Sequence, residues 1–303
     1  MRRTAVQVIA CFSMFSALQG LSAQQGRVSG PVAGILFERE SVRAVLGVPG
    51  ASHLSPALVS GAGYAQASRD GAWLAYSRQG QIHVLSLSDS AGRTIAQGSS
   101  ARMQWNASSS ALAFENGGHV FVWRAADDSL TGFGALSGVT ALAIDDSARV
   151  VYAAAGGPDA GVYRLEENVP PVLLARLDGD ATLTLDARGA SLLAADGRQV
   201  LEIAATGGAV RIAPDAAEPV GAAFSADGRY FAVADRGSHA VLLYETASRV
   251  LTRRIELDFA PSRLEPLGRD LFLLNERSET QALEALSLQN EAKVYFIPAA
   301  VEE

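Results

Sequence analysis

The stretch Val220-Gly-Ala-Ala-Phe-Ser-Ala-Asp-Gly-Arg-Tyr-Phe-Ala-Val-Ala-Asp235 decides the reading of this chain. Short apolar runs flank Asp227-Gly228, a pair that supplies the positive φ angles of a tight hairpin turn. Two further runs follow at once, Ala240-Val-Leu-Leu-Tyr244 and Val250-Leu-Thr-Arg-Arg-Ile255, with Arg236-Gly237-Ser238 as the turn before them. The unit therefore reads as four short antiparallel strands in sequence order. Both faces of the resulting sheet are apolar, so it cannot stand alone in water.

Working outward, equivalent turns fall at Asp70-Gly71, Ser108-Ser109, Asp146-Ser147, Arg188-Gly189 and Leu267-Gly268. Their second residues, together with Gly228, are 38, 38, 42, 39 and 40 positions apart. A period near 40 marks a repeat architecture. The apolar positions recur with it: Phe224 and Leu264 on first strands, Trp73, Val151, Leu192 and Phe231 on second strands. Two-faced sheets of this size bury both faces by stacking radially, which is the β-propeller solution.

Six units span roughly residues 62–300, and Val32-Ala-Gly-Ile-Leu-Phe37 with Ser41-Val-Arg-Ala-Val-Leu-Gly-Val48 add strands without an Asp-Gly turn. They read as a seventh, composite blade, which Val294-Tyr-Phe-Ile297 from the other chain end would complete. The expectation is thus an all-β fold, a β-propeller of seven four-stranded blades with its ring closed by N- and C-terminal strands. Six blades with an N-terminal extension is the alternative.

The first residues stand apart from this pattern. Arg2 and Arg3 precede an apolar run from Ala5 to Leu18 that ends in Leu21-Ser22-Ala23, the layout of a secretory signal peptide. At roughly 14 residues the run is shorter than the ~20 that span a bilayer, which disfavours a retained anchor. Cleavage after Ala23 is expected, leaving one propeller domain over residues 24–303 and no transmembrane segment. Export to the periplasm or the medium follows. The single cysteine, Cys11, lies inside the signal, where the apolar run continuing through Phe12, Met14 and Phe15 argues against a lipoprotein cleavage site. The exported chain would hold no disulfide, thiol or Cys-ligated metal. It would carry 23 basic against 32 acidic residues, a balance that disfavours nucleic acid as partner.

The unit around Phe224 resembles the repeats of YVTN-type and WD40-like propellers, with their Phe-Ser-x-Asp-Gly-[Arg/Lys] turn. The resemblance covers nearly all of residues 24–303 and implies the propeller architecture. The Trp-Asp dipeptide of true WD40 units stands here as Trp123-Arg124, Tyr163-Arg164 or Tyr244-Glu245, and the Gly-His pair is missing.

Catalytic signatures are sparse. His53, His83, His119 and His239 fall singly in separate units, without metal-ligand spacing. Gly-x-Ser-x-Gly, Walker and Rossmann motifs are absent. Ser68-Arg-Asp-Gly-Ala-Trp73 is one residue short of the Asp-box of sialidase propellers and occurs once, so it reads as a hairpin turn before a buried Trp. Asp70, Asp146 and Asp227 share a turn position in which an Asp side chain caps its own backbone. No cofactor or metal is expected.

In a propeller the first strand of each blade lines the axis, and the loops leading into it share one face with the loops between second and third strands. Counting back from the turns places Tyr64, Arg102, Thr140, Thr182, Gly221 and Pro261 at that mouth, with Gln66, Gln104, Thr184 and Arg263 two residues further in. The rim loops add Arg78, Asp196, Asp235, Arg236, Glu276 and Arg277, among others. The leading expectation is an exported, non-catalytic, monomeric propeller that recognises a protein or small polar ligand through Tyr64, Arg102, Arg263 and this rim. Two alternatives accompany it: a lactonase-like propeller hydrolase using Arg102, Arg263, Asp196 and Asp235 on a sugar lactone, and a structural envelope component docking through outer strands such as Leu251-Thr-Arg-Arg-Ile255.

Overall fold

A computed structural model describes residues 31–48, 50–268, 270–276, 282–289 and 291–298. The expected signal segment, 1–23, lies outside them.

The described residues form seven antiparallel sheets and contain no helix. In the deciding unit the strands are Pro219–Phe224, Tyr230–Asp235, Ala240–Glu245 and Leu251–Glu256, hydrogen-bonded in that order. Period-two alternation sends neighbouring side chains to opposite faces. Ala222 and Phe224 pack toward the preceding blade with Phe231 and Val233, while Ala223, Ala232 and Ala234 pack toward the following one. Seven apolar clusters result, each shared by two consecutive blades, and the last joins the C-terminal blade to the N-terminal one through Leu271, Leu273 and Leu283 against Leu36, Val45 and Leu54. Seven sheets with seven seams make a closed ring, a seven-bladed β-propeller.

Five of the first-to-second-strand turns share one geometry. A turn-opening residue, Ser68, Asn106, Asp145, Asp186 or Ser225, accepts the N–H three residues on and donates its own N–H to the carbonyl five residues on. The residue three after each opener holds the left-handed conformation: Gly71, Ser109, Ala148, Gly189 and Gly228. The repeat anchor in blade 4 is therefore Ala148, one residue beyond the Ser147 expected from spacing. The turn at Leu267-Gly268 is tighter, with the Leu267 N–H bonded to the Leu271 carbonyl.

Blade 1 departs from the repeat. It has three strands among the described residues: β1 (Val32–Glu38), β2 (Ser41–Val48) and β3 (Ala51–Ser60). In four other blades the chain leaves the outermost strand through one recurring hydrogen bond, donated to a carbonyl in the loop between second and third strands: Gly98 to Gly80, Leu136 to Gly118, Leu177 to Ala160, Leu257 to His239. In blade 1 the same bond runs from Ala62 to Glu40, which lies between β1 and β2. So β1, β2 and β3 occupy second, third and fourth positions, and β1 runs opposite to β4 (Tyr64–Ala67), the first strand of blade 2.

The strand Lys293–Ile297 does not complete blade 1, as the sequence suggested. It pairs with Leu283–Ser287 as the fourth strand of blade 7. The two are close in sequence, so pairing them closes a short loop, and each terminal blade is built from contiguous chain. The ring closes by packing between the N- and C-terminal blades.

Candidate functional site

First strands line the axis, and two cavities mark the ends of the channel between them. They share Gln66, Gln104, Leu183 and Leu267. The turn-side cavity, about 360 Å³, contains Ser68, Asp145 and Asp186, whose side chains already cap turns: Asp145 Oδ1 accepts the Val150 N–H at 2.7 Å and Asp186 Oδ1 the Ser191 N–H at 3.0 Å. The mouth cavity, about 430 Å³, is lined by Tyr64, Arg102, Thr140, Thr182, Arg263 and Glu265 together with apolar residues.

The mouth holds two of the five buried side-chain polar atoms for which no hydrogen bond is found among the described residues. Arg102 donates from Nη1 to the Ala101 carbonyl at 2.6 Å, but its buried Nε has no partner. Thr182 Oγ1 is likewise buried and unpartnered. Arg263 is held rigidly, with Nε on the Asn275 carbonyl at 3.0 Å and Nη1 on Glu265 at 3.0 Å, and its side chain is 16% exposed. Two arginines face one carboxylate, so the mouth carries surplus positive charge in a chain of formal charge −7.

The Tyr64 hydroxyl points inward to Gln66 Oε1 at 3.4 Å, and the ring lies edge-on to Phe37 at 5.8 Å. Burial, and then the Glu265 charge, push its phenol up to about 12, while Arg102 and Arg263 pull the other way. Tyr64 thus stays a protonated donor throughout the physiological range. Spacing brought Tyr64, Arg102 and Arg263 to one mouth, and the structure places all three on the same cavity. It adds Glu265, which sequence reasoning missed; it opens the short strand Glu265–Pro266, two residues after Arg263, with which it pairs at 3.0 Å.

The rim divides differently. Asp235 is fully buried and accepts the Ala217 N–H at 3.1 Å, the Glu218 N–H at 2.6 Å and the Ser238 hydroxyl. Burial alone would push its pKa up, but these donors hold the carboxyl below the usual carboxylate range. Asp196 accepts from the Arg198 and Gln199 amides at 3.1 and 3.0 Å and from the Asp178 amide at 3.3 Å. Both tie a rim loop to the segment leading into a first strand. Arg236 pairs with Glu218, which raises the guanidinium and lowers the carboxyl. Arg78 ends its strand in the mouth-face loop near Tyr76 and His83, where its charge helps hold the imidazole below its ordinary value, behind burial as the main cause. Glu276 is exposed, and Arg277 lies outside the described residues. Among the described residues no three His, Cys, Asp or Glu side chains form a group able to hold a metal, and no helix is long and apolar enough to cross a membrane.

No protein-family model matches this chain, and no curated protein matches it. Solved structures do. A chain from the crystal structure of a nidogen/laminin complex superposes with a TM-score of 0.53 at 11% identity, covering 76% of this chain and 98% of that one. Hydrazine synthase of Kuenenia stuttgartiensis gives 0.59 at 13% identity, covering 90% and 98%. At such identities the likeness shows the propeller fold and carries no function with it.

Proposed function

We propose that this protein is an exported, non-catalytic binding propeller whose mouth recognises a polar ligand or a protein partner. The observation that carries the reading is the mouth cavity, where Arg102 Nε and Thr182 Oγ1 are buried without partners beside the rigid Arg263–Glu265 pair. Buried polar groups are ordinarily satisfied, so leftover donors in an open cavity suit a ligand acceptor. The nidogen/laminin structure gives the fold a protein–protein setting, and the Phe224–Arg229 turn keeps the chain's resemblance to YVTN-type repeats. A lactonase-like role has less support, because Asp196 and Asp235 are already engaged by backbone amides.

The test uses the chain beginning at Gln24. Thermal shifts are recorded with sugars, sugar acids, lactones and dicarboxylates for the unsubstituted protein, Arg102→Gln and Arg263→Gln. In parallel, partner recovery from the exported fraction is compared with an Arg78→Glu/Arg236→Glu variant. The reading expects a compound or partner whose effect weakens in the substituted proteins. If no compound shifts any variant differently and protein recovery is the same for all, the mouth and rim are not recognition surfaces.

A further inference from the structure

The turn-side end of the channel holds a group that turn capping does not account for. Tyr152, on the second strand of blade 4 (Val150–Ala155), is 3% exposed, and its ring packs in the seam with blade 5 among Ala143, Leu192 and the half-buried Leu183 and Leu185. Its side chain lines the turn-side cavity, and its hydroxyl makes no hydrogen bond among the described residues. A buried phenol ordinarily finds a partner for its O–H.

The polar atoms left over on this cavity are acceptors. Asp186 opens the first turn of blade 5 and spends Oδ1 on the Ala190 and Ser191 amides at 2.7 and 3.0 Å, while its Oδ2 has no hydrogen-bond partner among the described residues. Gln104 donates from Nε2 to the Trp105 carbonyl at 3.1 Å, which leaves Oε1 as an acceptor on the same cavity. Burial pushes the Tyr152 phenol above its ordinary value; Asp145, Glu166 and Asp186 act in the same direction and Arg164 opposes them. The hydroxyl therefore keeps its proton at neutral pH and lies within electrostatic reach of Asp186.

Charge and shape set what fits. The half-buried charges of the lining are Asp145 and Asp186 against Arg69, whereas Asp146 and Arg188 are exposed and screened by solvent. The mouth has the opposite balance, two arginines to one carboxylate. An ammonium group brings three donors and no acceptor, so it suits leftover acceptors, which a carboxylate or phosphate would meet lone pair to lone pair. Next to Asp186 and Tyr152 the wall is apolar, formed by Ile144, Leu183 and Leu185, and the volume of about 360 Å³ is that of a small-molecule site.

We propose that the turn-side cavity is a second binding site, for a small primary alkylammonium compound, with the ammonium on Asp186 Oδ2 and the Tyr152 hydroxyl and the alkyl stem along Ile144, Leu183 and Leu185. This site lies at the opposite end of the channel from the mouth and does not depend on the binding role proposed there.

Calorimetric titration of the chain beginning at Gln24 with n-butylamine, n-butanol and butyrate tests it. The expected result is binding of butylamine in preference to the other two. Asp186→Asn should weaken it about tenfold or more, since it removes the charge. The same change keeps the turn, because Asn106 opens the equivalent turn of blade 3 and caps it with Oδ1 on the Ser110 and Ala111 amides at 2.8 and 3.0 Å. Tyr152→Phe removes only the hydroxyl and should weaken binding about threefold, which keeps the proposal testable whatever the fate of Asp186→Asn. Butylamine that does not bind, that binds no better than butanol or butyrate, or that binds both variants as it does the unsubstituted chain overturns the proposal. So does binding that survives Asp186→Asn and is lost in Arg263→Gln, which would place the amine at the mouth.

Discussion

Asp235 offers the sharpest test of how the rim is built. Replacing it with Ala leaves the Ala217 and Glu218 amides without the acceptor they now find at 3.1 and 2.6 Å, and strands the Ser238 hydroxyl. Hydrogen bonds to a charged acceptor contribute about 1.5–3 kcal/mol each, and a donor left unsatisfied costs about 1–3. The Ser238 hydroxyl can turn to water and the loop can relax, so a net loss of about 3 kcal/mol at neutral pH is expected. Asp235→Asn keeps one carbonyl acceptor and should lose about half as much. The sign with pH follows from the depressed carboxyl: its contribution is present above the unfolded value near 3.9 and fades as pH falls through the lower folded value. The gap between Asp235→Ala and the unsubstituted protein should therefore narrow in acid. Urea unfolding followed by tryptophan emission measures it. A loss below about 1 kcal/mol, or a gap indifferent to acid, would refute the clamp role and return Asp235 to the list of free rim carboxylates.

Three further outcomes are expected. Tyr64, pushed up to about 12 from an ordinary value of 10.0, contributes stability that is full below pH 10 and lost as pH rises toward its folded value; Tyr64→Phe should flatten the alkaline decline, and Glu265→Gln should move the tyrosinate absorbance transition of Tyr64 downward. Gly34→Ala would press a methyl against the Leu267 carbonyl at the ring's closing seam and should cost about 1–3 kcal/mol, visible as a lower thermal midpoint. Trp105→Phe removes the indole bond to the Gln66 carbonyl at 3.0 Å from a cluster in which Trp73, Trp105 and Trp123 lie within 6.4 Å of one another. It should cost about 2 kcal/mol and change the emission of the two remaining tryptophans, with an unaltered spectrum counting against the packing described.

How far the site could be read from the chain depended on the kind of fact involved. Tyr64, Arg102 and Arg263 were legible because each sits at a fixed offset from a turn, and the repeat carries that offset around the ring. Asp196 and Asp235 were legible as rim residues but not as loop clamps, since an Asp in a polar loop looks the same whether it meets water or a buried amide. Ala148 as a turn residue was hidden because the left-handed position there is taken by a residue with no special preference for it.

The architecture was set by local chemistry: alternation of period two, turn residues near every fortieth position, and apolar residues on both faces of each unit. These are properties of contiguous chain, and radial stacking is the way such sheets bury themselves. Which strand fills which place at the ring's seam was not local. That Lys293–Ile297 belongs to blade 7, that β1 stands second rather than first, and that Glu265 lines the same cavity as Tyr64 and raises its phenol depend on how the ring is assembled. Sequence spacing fixes positions along a strand, whereas only the closed ring brings the first and last blades together.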